Sequence, residues 1–359
     1  MKSGVDIVVT DNSSQILFLL TFLIILFYAC DSKKDEQILG KSDHQILIDS
    51  DSLGFIRDLI VSNNYLVLLD SKPLNDDKQL RIYDLRNSKF LYTLGREGAG
   101  PGEFRQGMSL NKIDDGKKGF SLMDLSSKKV LIYEYDNLGR LNYLESVQLK
   151  EGRPYMPLVV DDSTIYSLGL ELFTGRIAKY DYSGNLLETL GDIPPGKEND
   201  TPVPVHLQAC KGILRVTPNL NNFIISYQFA DLIDIYNKNG VLLKRINDKI
   251  GRAPKYKTLI RSGYPTFFLD EEEAILGYLD IRVTDSLIIA LFSGELVATA
   301  QYETNIIQVF NLEGKLLKTV TLDIKISQIE IDENNNRLIA VSYYPTPIVY
   351  AFNLEKILH

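Results

Sequence analysis

Six times along this chain an alternating apolar strand runs into Asp or Asn, two further residues, Gly or a substitute, and a second apolar strand. The copies read LRIYDLRNSKFLYTL (80–94), LIYEYDNLGRLNYL (131–144), IAKYDYSGNLLETL (177–190), LIDIYNKNGVLLKRI (232–246), IIQVFNLEGKLLKTV (306–320) and IVYAFNLEKIL (348–358). The turns open on Asp84, Asp136, Asp181, Asn237, Asn311 and Asn353. Gly139, Gly184, Gly240 and Gly314 follow three positions later in four copies, with Asn87 and Lys356 in that place in the first and last. Asp or Asn at the head of such a turn accepts a backbone hydrogen bond two residues on. Gly or Asn three later tolerates the left-handed conformation that returns the chain as a hairpin. Openers spaced 42 to 74 residues apart match the period of propeller blades and exceed that of leucine-rich or ankyrin repeats.

Two more strand-like segments precede each hairpin, giving four strands per blade. They are 55–61 with 65–70, 108–113 with 119–124, 155–160 with 164–170, 212–217 with 222–229, 274–283 with 287–292, and 326–332 with 337–344. After the sixth copy the chain ends at His359, with little room for another outer strand. HQILIDS (44–50) precedes the first blade and has no place in it. It is therefore expected to complete the last blade, closing the ring and removing two sheet edges. The expectation is an all-β, six-bladed β-propeller of four-stranded blades spanning 44–359. A pair of β-sandwiches, or a seven-bladed ring with one degenerate blade, would use the same strands. Six countable turns and a closing strand select six blades.

The formal charge of −8 becomes −7 once Lys2, Asp6 and Asp11 are removed with residues 1–29, and such a surface repels phosphate backbones. General nucleic-acid binding is excluded on that ground. Residues 16–29, ILFLLTFLIILFYA, form an apolar run ending in Ala29 before Cys30. Fourteen residues fall short of a spanning helix but suit a signal-peptide h-region. The run resembles a bacterial lipoprotein signal, with Cys30 the lipidated residue. Bulky Phe27 and Tyr28 depart from that pattern, and an uncleaved short anchor stays as the alternative. Residues 30–43 then read as the lipidated Cys and a polar tether. With Cys30 lipidated, Cys210 is the only thiol left and no internal disulfide can form. Cys210 reads as a small buried apolar side chain.

LGREGAGPGEF (94–104), the six blades and the Cys30 signal together resemble the TolB-like six-bladed propeller lipoproteins of Bacteroidetes. The resemblance covers nearly the whole mature chain. It implies an outer-membrane lipoprotein of the cell envelope, facing the periplasm or the cell surface, and supplies little chemistry. Lys34-Asp35-Glu36 is similar to an export tag of surface lipoproteins, or is simply part of a charged spacer.

Motifs for chemistry are sparse. No Gly-Lys-Ser/Thr follows the Gly-rich stretch, so it steers the chain between blades and cradles no phosphate. His44, His206 and His359 have no ligand-like spacing, no Cys–His pair is evident, and no cofactor is implied. Residues 270–273 lack the alternation of a calcium loop, although calcium in the central channel stays open as an alternative. In an antiparallel blade with strands A to D, the A–B and C–D turns share one face, and the B–C and D–A connections share the other. The long connections 96–107, 192–208, 248–273 and 293–305 all fall on the second face, where rigid scaffolds place binding. The candidate binding residues are Arg96, Glu103, Phe104, Arg105, His206, Arg252, Lys255, Tyr256, Lys257, Arg261 and Tyr264. KIGRAPKYKTLIR (249–261) is basic, and suits either an anionic partner or a solvated loop balancing the acidic run at 270–273. The chain is expected to be a monomeric binding module, engaging an envelope protein or a small anionic ligand through the long-loop face. A metal-assisted hydrolase or lactonase in the channel is the alternative.

Overall fold

A computed structural model describes residues 35–49, 51–74, 77–113, 119–172, 174–197, 200–247 and 253–358. Cys30, the apolar run before it, Arg252 and His359 lie outside them. Two strands, β1 (Asp35–Leu39) and β2 (His44–Asp49), open the described chain. Blade one is β3–β6 (Ile56–Ser62, Tyr65–Asp70, Lys78–Asp84, Lys89–Arg96), and blade two is β7–β10 (Gly107–Ile113, Gly119–Asp124, Lys129–Tyr135, Leu141–Gln148). Blade three is β11–β14 (Pro154–Val159, Thr164–Gly169, Ile177–Asp181, Leu186–Leu190), followed by helix α1 (Val203–Ala209). Blade four is β15–β18 (Gly212–Val216, Asn222–Tyr227, Ile233–Asn237, Leu242–Ile246), and a separate hairpin, β19–β20 (Tyr256–Arg261, Tyr264–Leu269), follows it. Blade five is β21–β24 (Tyr278–Val283, Leu287–Phe292, Thr304–Asn311, Leu316–Ile326). Blade six takes β25–β27 (Gln328–Asp332, Arg337–Ser342, Ile348–Asn353) from the C-terminal end, before the terminal helix α2 (Leu354–Leu358).

The fourth strand of blade six is β2, as the orphan segment at 44–50 predicts. It pairs antiparallel with β27, setting His44 opposite Phe352 and Ile48 opposite Val349. Closure is also visible in the packing. One apolar layer lies between each pair of neighbouring blades, and the layer joining Ile339, Val341 and Val349 to Leu59, Val61, Leu66 and Leu68 seals blade six against blade one. Inner strands are sandwiched on both faces and read as nearly continuous apolar runs, as in the fully buried β8. Outer strands such as β6 are half exposed and tolerate polar residues.

The repeated turn behaves as its chemistry requires in four copies. Gly139, Gly184, Gly240 and Gly314 have φ of 75°, 78°, 76° and 80°. At Gly240 a Cβ would also lie 2.6 Å from Leu190 Cβ, so glycine is needed there for space as well as for torsion. Two copies differ. In the first, Ser88 and not Asn87 takes the left-handed conformation, at φ 56°, while the Asn87 side chain accepts from the Lys89 amide at 3.0 Å. In the last there is no hairpin: Asn353 accepts from the Glu355 amide at 2.9 Å and caps α2. Residues 35–39, read as tether, instead form β1 and extend blade five as a fifth strand beside β24. The connection at 248–273, read as a loop, contains the β19–β20 hairpin, and 192–208 contains α1.

Candidate functional site

Three of the four long connections join into one layer over blades three to five. The α1 segment meets the β19–β20 hairpin through hydroxyl contact between Thr201 and Thr258 at 3.1 Å and through His206, whose Nδ1 lies 2.7 Å from the Tyr256 hydroxyl. His206 Nε2 lies 2.9 Å from the Pro194 carbonyl. A carbonyl can only accept, so Nε2 carries the proton and Nδ1 accepts from Tyr256. Burial, with the nearby charges of Arg176 and Lys197, holds this imidazole below the usual histidine range. The 293–303 segment joins the layer by backbone bonds between Leu276 and Glu295 and between Val297 and Ala274, at 2.8 and 2.9 Å.

The hairpin projects from this layer. Its pleat places Tyr256 and Thr258 toward α1, leaving Lys257, Leu259 and Arg261 on the outward face with Tyr264 and Phe268 across from them. Leu259, Tyr264 and Phe268 are 48%, 76% and 40% exposed. Ser262 and Gly263, both at positive φ, form the tight two-residue turn at the tip. The lysines are already paired: Lys255 lies 3.4 Å from Glu273, and Lys257 lies 2.8 Å from Asp270. The basic segment therefore balances the acidic run beside it.

Two of the predicted contact residues are interior. His206 and Phe104 are both fully buried, so neither presents a side chain to a partner. Phe104 packs between blades one and two against Leu69, Leu80 and Phe120. The Gly-rich connection exists to put it there. Phe104 bonds back to Arg96, its amide donating to that carbonyl at 3.2 Å, and the Glu103 carboxylate accepts from the Gly100 amide at 2.9 Å. Gly95, at φ 72°, gives way to the ring, for a Cβ there would lie 2.3 Å from Phe104 Cε1. Arg96 is exposed and pairs with Asp77 at 2.7 Å, and Arg105 is exposed. These residues sit at the blade one–two junction.

The second polar constellation lies in the central channel. One side chain per blade at one register, Ile60, Asn111, Leu158, Arg215, Arg282 and Glu330, lines a cavity of about 270 Å³. Asn63, Pro218, Leu220, Glu333 and Asn334 of the A–B turns form its rim, so it opens on the face opposite the long connections. Bulges in β3 and β21 turn Asp58 and Asp280 toward the following blade. Asp58 accepts from the Leu110 amide at 2.7 Å, and Asp280 accepts from the Ile329 amide at 3.0 Å. Their oxygens and those of Glu330 converge on Arg282, at 3.3, 2.6 and 2.7 Å respectively. A guanidinium thus occupies the point on which channel carboxylates would gather a cation. Burial pushes the carboxyls of Asp58 and Glu330 upward while Arg282 draws them back. Burial works against the charge of Arg282 too, but Asp280, Glu330 and Asp58 raise it above the usual arginine value. Among the described residues no three His, Cys, Asp or Glu side chains stand close enough to share a metal ion.

A family model described as TolB-like 6-blade propeller-like matches residues 57–334. The chain belongs to the TolB-like six-bladed propeller family. Solved structures with the same fold include a Bacteroides fragilis protein named as exported. It is 12% identical, with a TM-score of 0.52 and coverage of 88% of this chain and 98% of that one. Two more are U3-55K, at 10% identity, TM-score 0.52 and 88% and 99% coverage, and the RRP9 WD40 repeats, at 11%, 0.50 and 88% and 98%. At such identities the likeness is one of fold alone. No curated protein matches the sequence.

Sequence reading of this TolB-like propeller missed two groups. The channel ring was hidden because Arg282 and Asp58 stand 224 positions apart, and only alignment of the six inner strands would have gathered them. The outward apolar face of the hairpin was legible: YKTLIR and YPTFFL flank Ser-Gly, a two-residue hairpin signal. Cys210 lies 3.5 Å from His206 Nε2, one helical turn away, a Cys–His approach absent from the sequence reading. It is nonetheless inert, because burial pushes the thiol up to about 12.

Proposed function

We propose that this TolB-like propeller is exported, is held at the cell envelope by lipid on Cys30, and docks an envelope protein on its long-loop face. The contact element is the outward face of the β19–β20 hairpin. The observation that carries this reading is the pairing of exposure with anchorage. Leu259, Tyr264 and Phe268 stand in solvent on an element whose base is fixed by Tyr256 to His206 of α1 and by Thr258 to Thr201 just before it. A two-stranded hairpin alone is marginal in water, so this one is held in place by the propeller. Aromatic and aliphatic side chains displayed on a pre-ordered element lose little freedom on binding, which is how interface anchors work. Lipid attachment rests on the apolar run that ends at Ala29-Cys30, and export is in keeping with the Bacteroides fragilis protein of the same fold.

The test is mild crosslinking in the native cells, with the full-length lipoprotein compared against a Leu259→Ser/Tyr264→Ser variant. A discrete partner should crosslink to the wild type and be lost from a variant that melts normally. Equal recovery of the same partner by both proteins would remove the hairpin from the interface. Replacing Cys30 with Ala should release the protein from the membrane fraction, and an uncleaved, membrane-retained Cys30→Ala protein would establish the short anchor instead.

A further inference from the structure

The two channel arginines are held very differently. Arg282 has three carboxylates at 2.6–3.3 Å. Arg215, on the equivalent position of blade four, has three long contacts among the described residues. Its nitrogens reach Asn111 Oδ1 at 3.3 Å, the Leu214 carbonyl at 3.2 Å and Asp280 Oδ1 at 3.5 Å. That last oxygen is already bonded to Arg282 at 2.6 Å. A guanidinium offers five N–H donors, and one this buried is costly without a close acceptor. Burial and the neighbouring Arg282 hold Arg215 below the usual arginine value, against the pull of Asp280, Asp58 and Glu330.

We propose that the channel cavity on the A–B turn face binds a small aliphatic carboxylate, received by the Arg215 guanidinium. Guanidinium and carboxylate match as a planar, two-pronged pair, and the burial of Arg215 strengthens it. The cavity, about 270 Å³, lies below the roughly 300–1,000 Å³ typical of drug-sized ligands, so the occupant is small. Ile60, Leu158, Val159, Val160 and Val216 give it aliphatic walls among a polar lining that includes Asn63, Asn111, Lys112, Arg282 and Glu330, and no aromatic ring lines it among the described residues. An aliphatic body fits those walls. Of the carboxylates that also face the cavity, Glu330 and Asp332 are engaged elsewhere and Glu333 lies exposed at the rim. Glu330 accepts from Arg282 and from the Ile331 amide at 2.7 and 3.1 Å, and Asp332 is paired with Arg337 at 2.6 Å. Neither is left to repel an incoming anion at close range without its own counter-charge or amide.

Titration calorimetry on the detergent-solubilised full chain tests this, with 3-methylbutanoate, its uncharged amide, and inorganic phosphate as probes. The carboxylate should bind with a Kd of about 1 mM or tighter. The amide and phosphate should be at least about tenfold weaker, a loss of some 1.4 kcal/mol each. Arg215→Gln should weaken the carboxylate by the same factor or more, and Arg215→Lys should recover only part of it. Because Arg215→Gln could disturb the channel, Val160→Phe, which fills the cavity and leaves every charge in place, supplies the independent arm and should abolish binding. Equal binding of carboxylate and amide, tighter binding of phosphate, unchanged affinity in Val160→Phe, or no carboxylate binding at all would overturn the proposal.

Discussion

The connections at 96–107 and 246–278 start from the same place in the fold, the end of an outer strand, and lead to the same place, the inner strand of the next blade. They use their residues in opposite ways. The first turns its extra chain inward: its Gly and Pro residues bend it so tightly that Phe104 fills the junction. The second has chain to spare, which folds back as the β19–β20 hairpin and leaves Leu259, Tyr264 and Phe268 in solvent. A dense, unusual motif is thus a sign of backbone geometry, and surplus length is the better sign of a working surface.

That contrast predicts a steep gradient of stability effects. Phe104→Ala should be the most damaging, removing a fully buried ring from between two blades at a cost of about 3–5 kcal/mol. Chemical denaturation will measure it, and a loss below about 1 kcal/mol would mean that the motif does not lock the blades. Gly95→Ala comes next. It forces a Cβ into the Phe104 ring at a residue with φ 72°, so about 2–4 kcal/mol is expected from overpacking and torsional strain together.

His206 lies between these extremes, buried like Phe104 but tied to the hairpin. His206→Gln should cost about 1–3 kcal/mol by leaving the Tyr256 hydroxyl or the Pro194 carbonyl without its partner. It should also change the pH dependence. The folded protein keeps this imidazole neutral to a lower pH than the unfolded chain does. The stability it contributes is therefore fully present above the ordinary histidine value near 6.5 and is lost as pH falls below it. Melting between pH 7.5 and 5.5 should show a smaller drop in the variant than in the wild type, and equal drops would mean that His206 titrates normally.

Four of the blades were legible from their own turn chemistry: Gly139, Gly184, Gly240 and Gly314 announce the left-handed residue that the hairpin needs. The closing strand was legible by elimination, since 44–50 had no other home. Direction was harder. Phe104 and His206 sit in connections, and nothing local distinguishes an aromatic ring that turns inward from one that turns out. The neighbours that bury them, Leu69 and Phe120 for one and Pro194 and Tyr256 for the other, are fixed by tertiary packing. The channel was illegible for the same reason, as its salt bridges join different blades.

At the tip of the hairpin the effects on stability should vanish. Leu259→Ser with Tyr264→Ser touches side chains already in water, so the melting transition should shift by no more than about 0.5 kcal/mol per site. A larger shift would show that the hairpin packs on something in the monomer and would blur its contrast with the Gly-rich connection.

The smallest expected effect concerns the lysines at the hairpin's base. Lys257 and Asp270 form an exposed pair at 2.8 Å, in which the carboxylate holds the lysine above its usual range and is itself held below its own. If the pair is a local clamp, its orientation is immaterial, and the exchange Lys257→Asp with Asp270→Lys should capture the partner as well as the wild type does. If Lys257 instead meets an acidic partner surface, the exchange moves the positive charge away from the outward face. Capture would then fall, and fall more at low salt, where exposed charges are least screened. Each single substitution sets two like charges side by side: under the local clamp both should do worse than the exchange, whereas under acidic recognition Asp270→Lys keeps the outward charge and should do better. Comparing the exchange at low and high ionic strength therefore separates a hairpin recognised by its apolar face from one recognised by charge, and the geometry of the pair favours the apolar face.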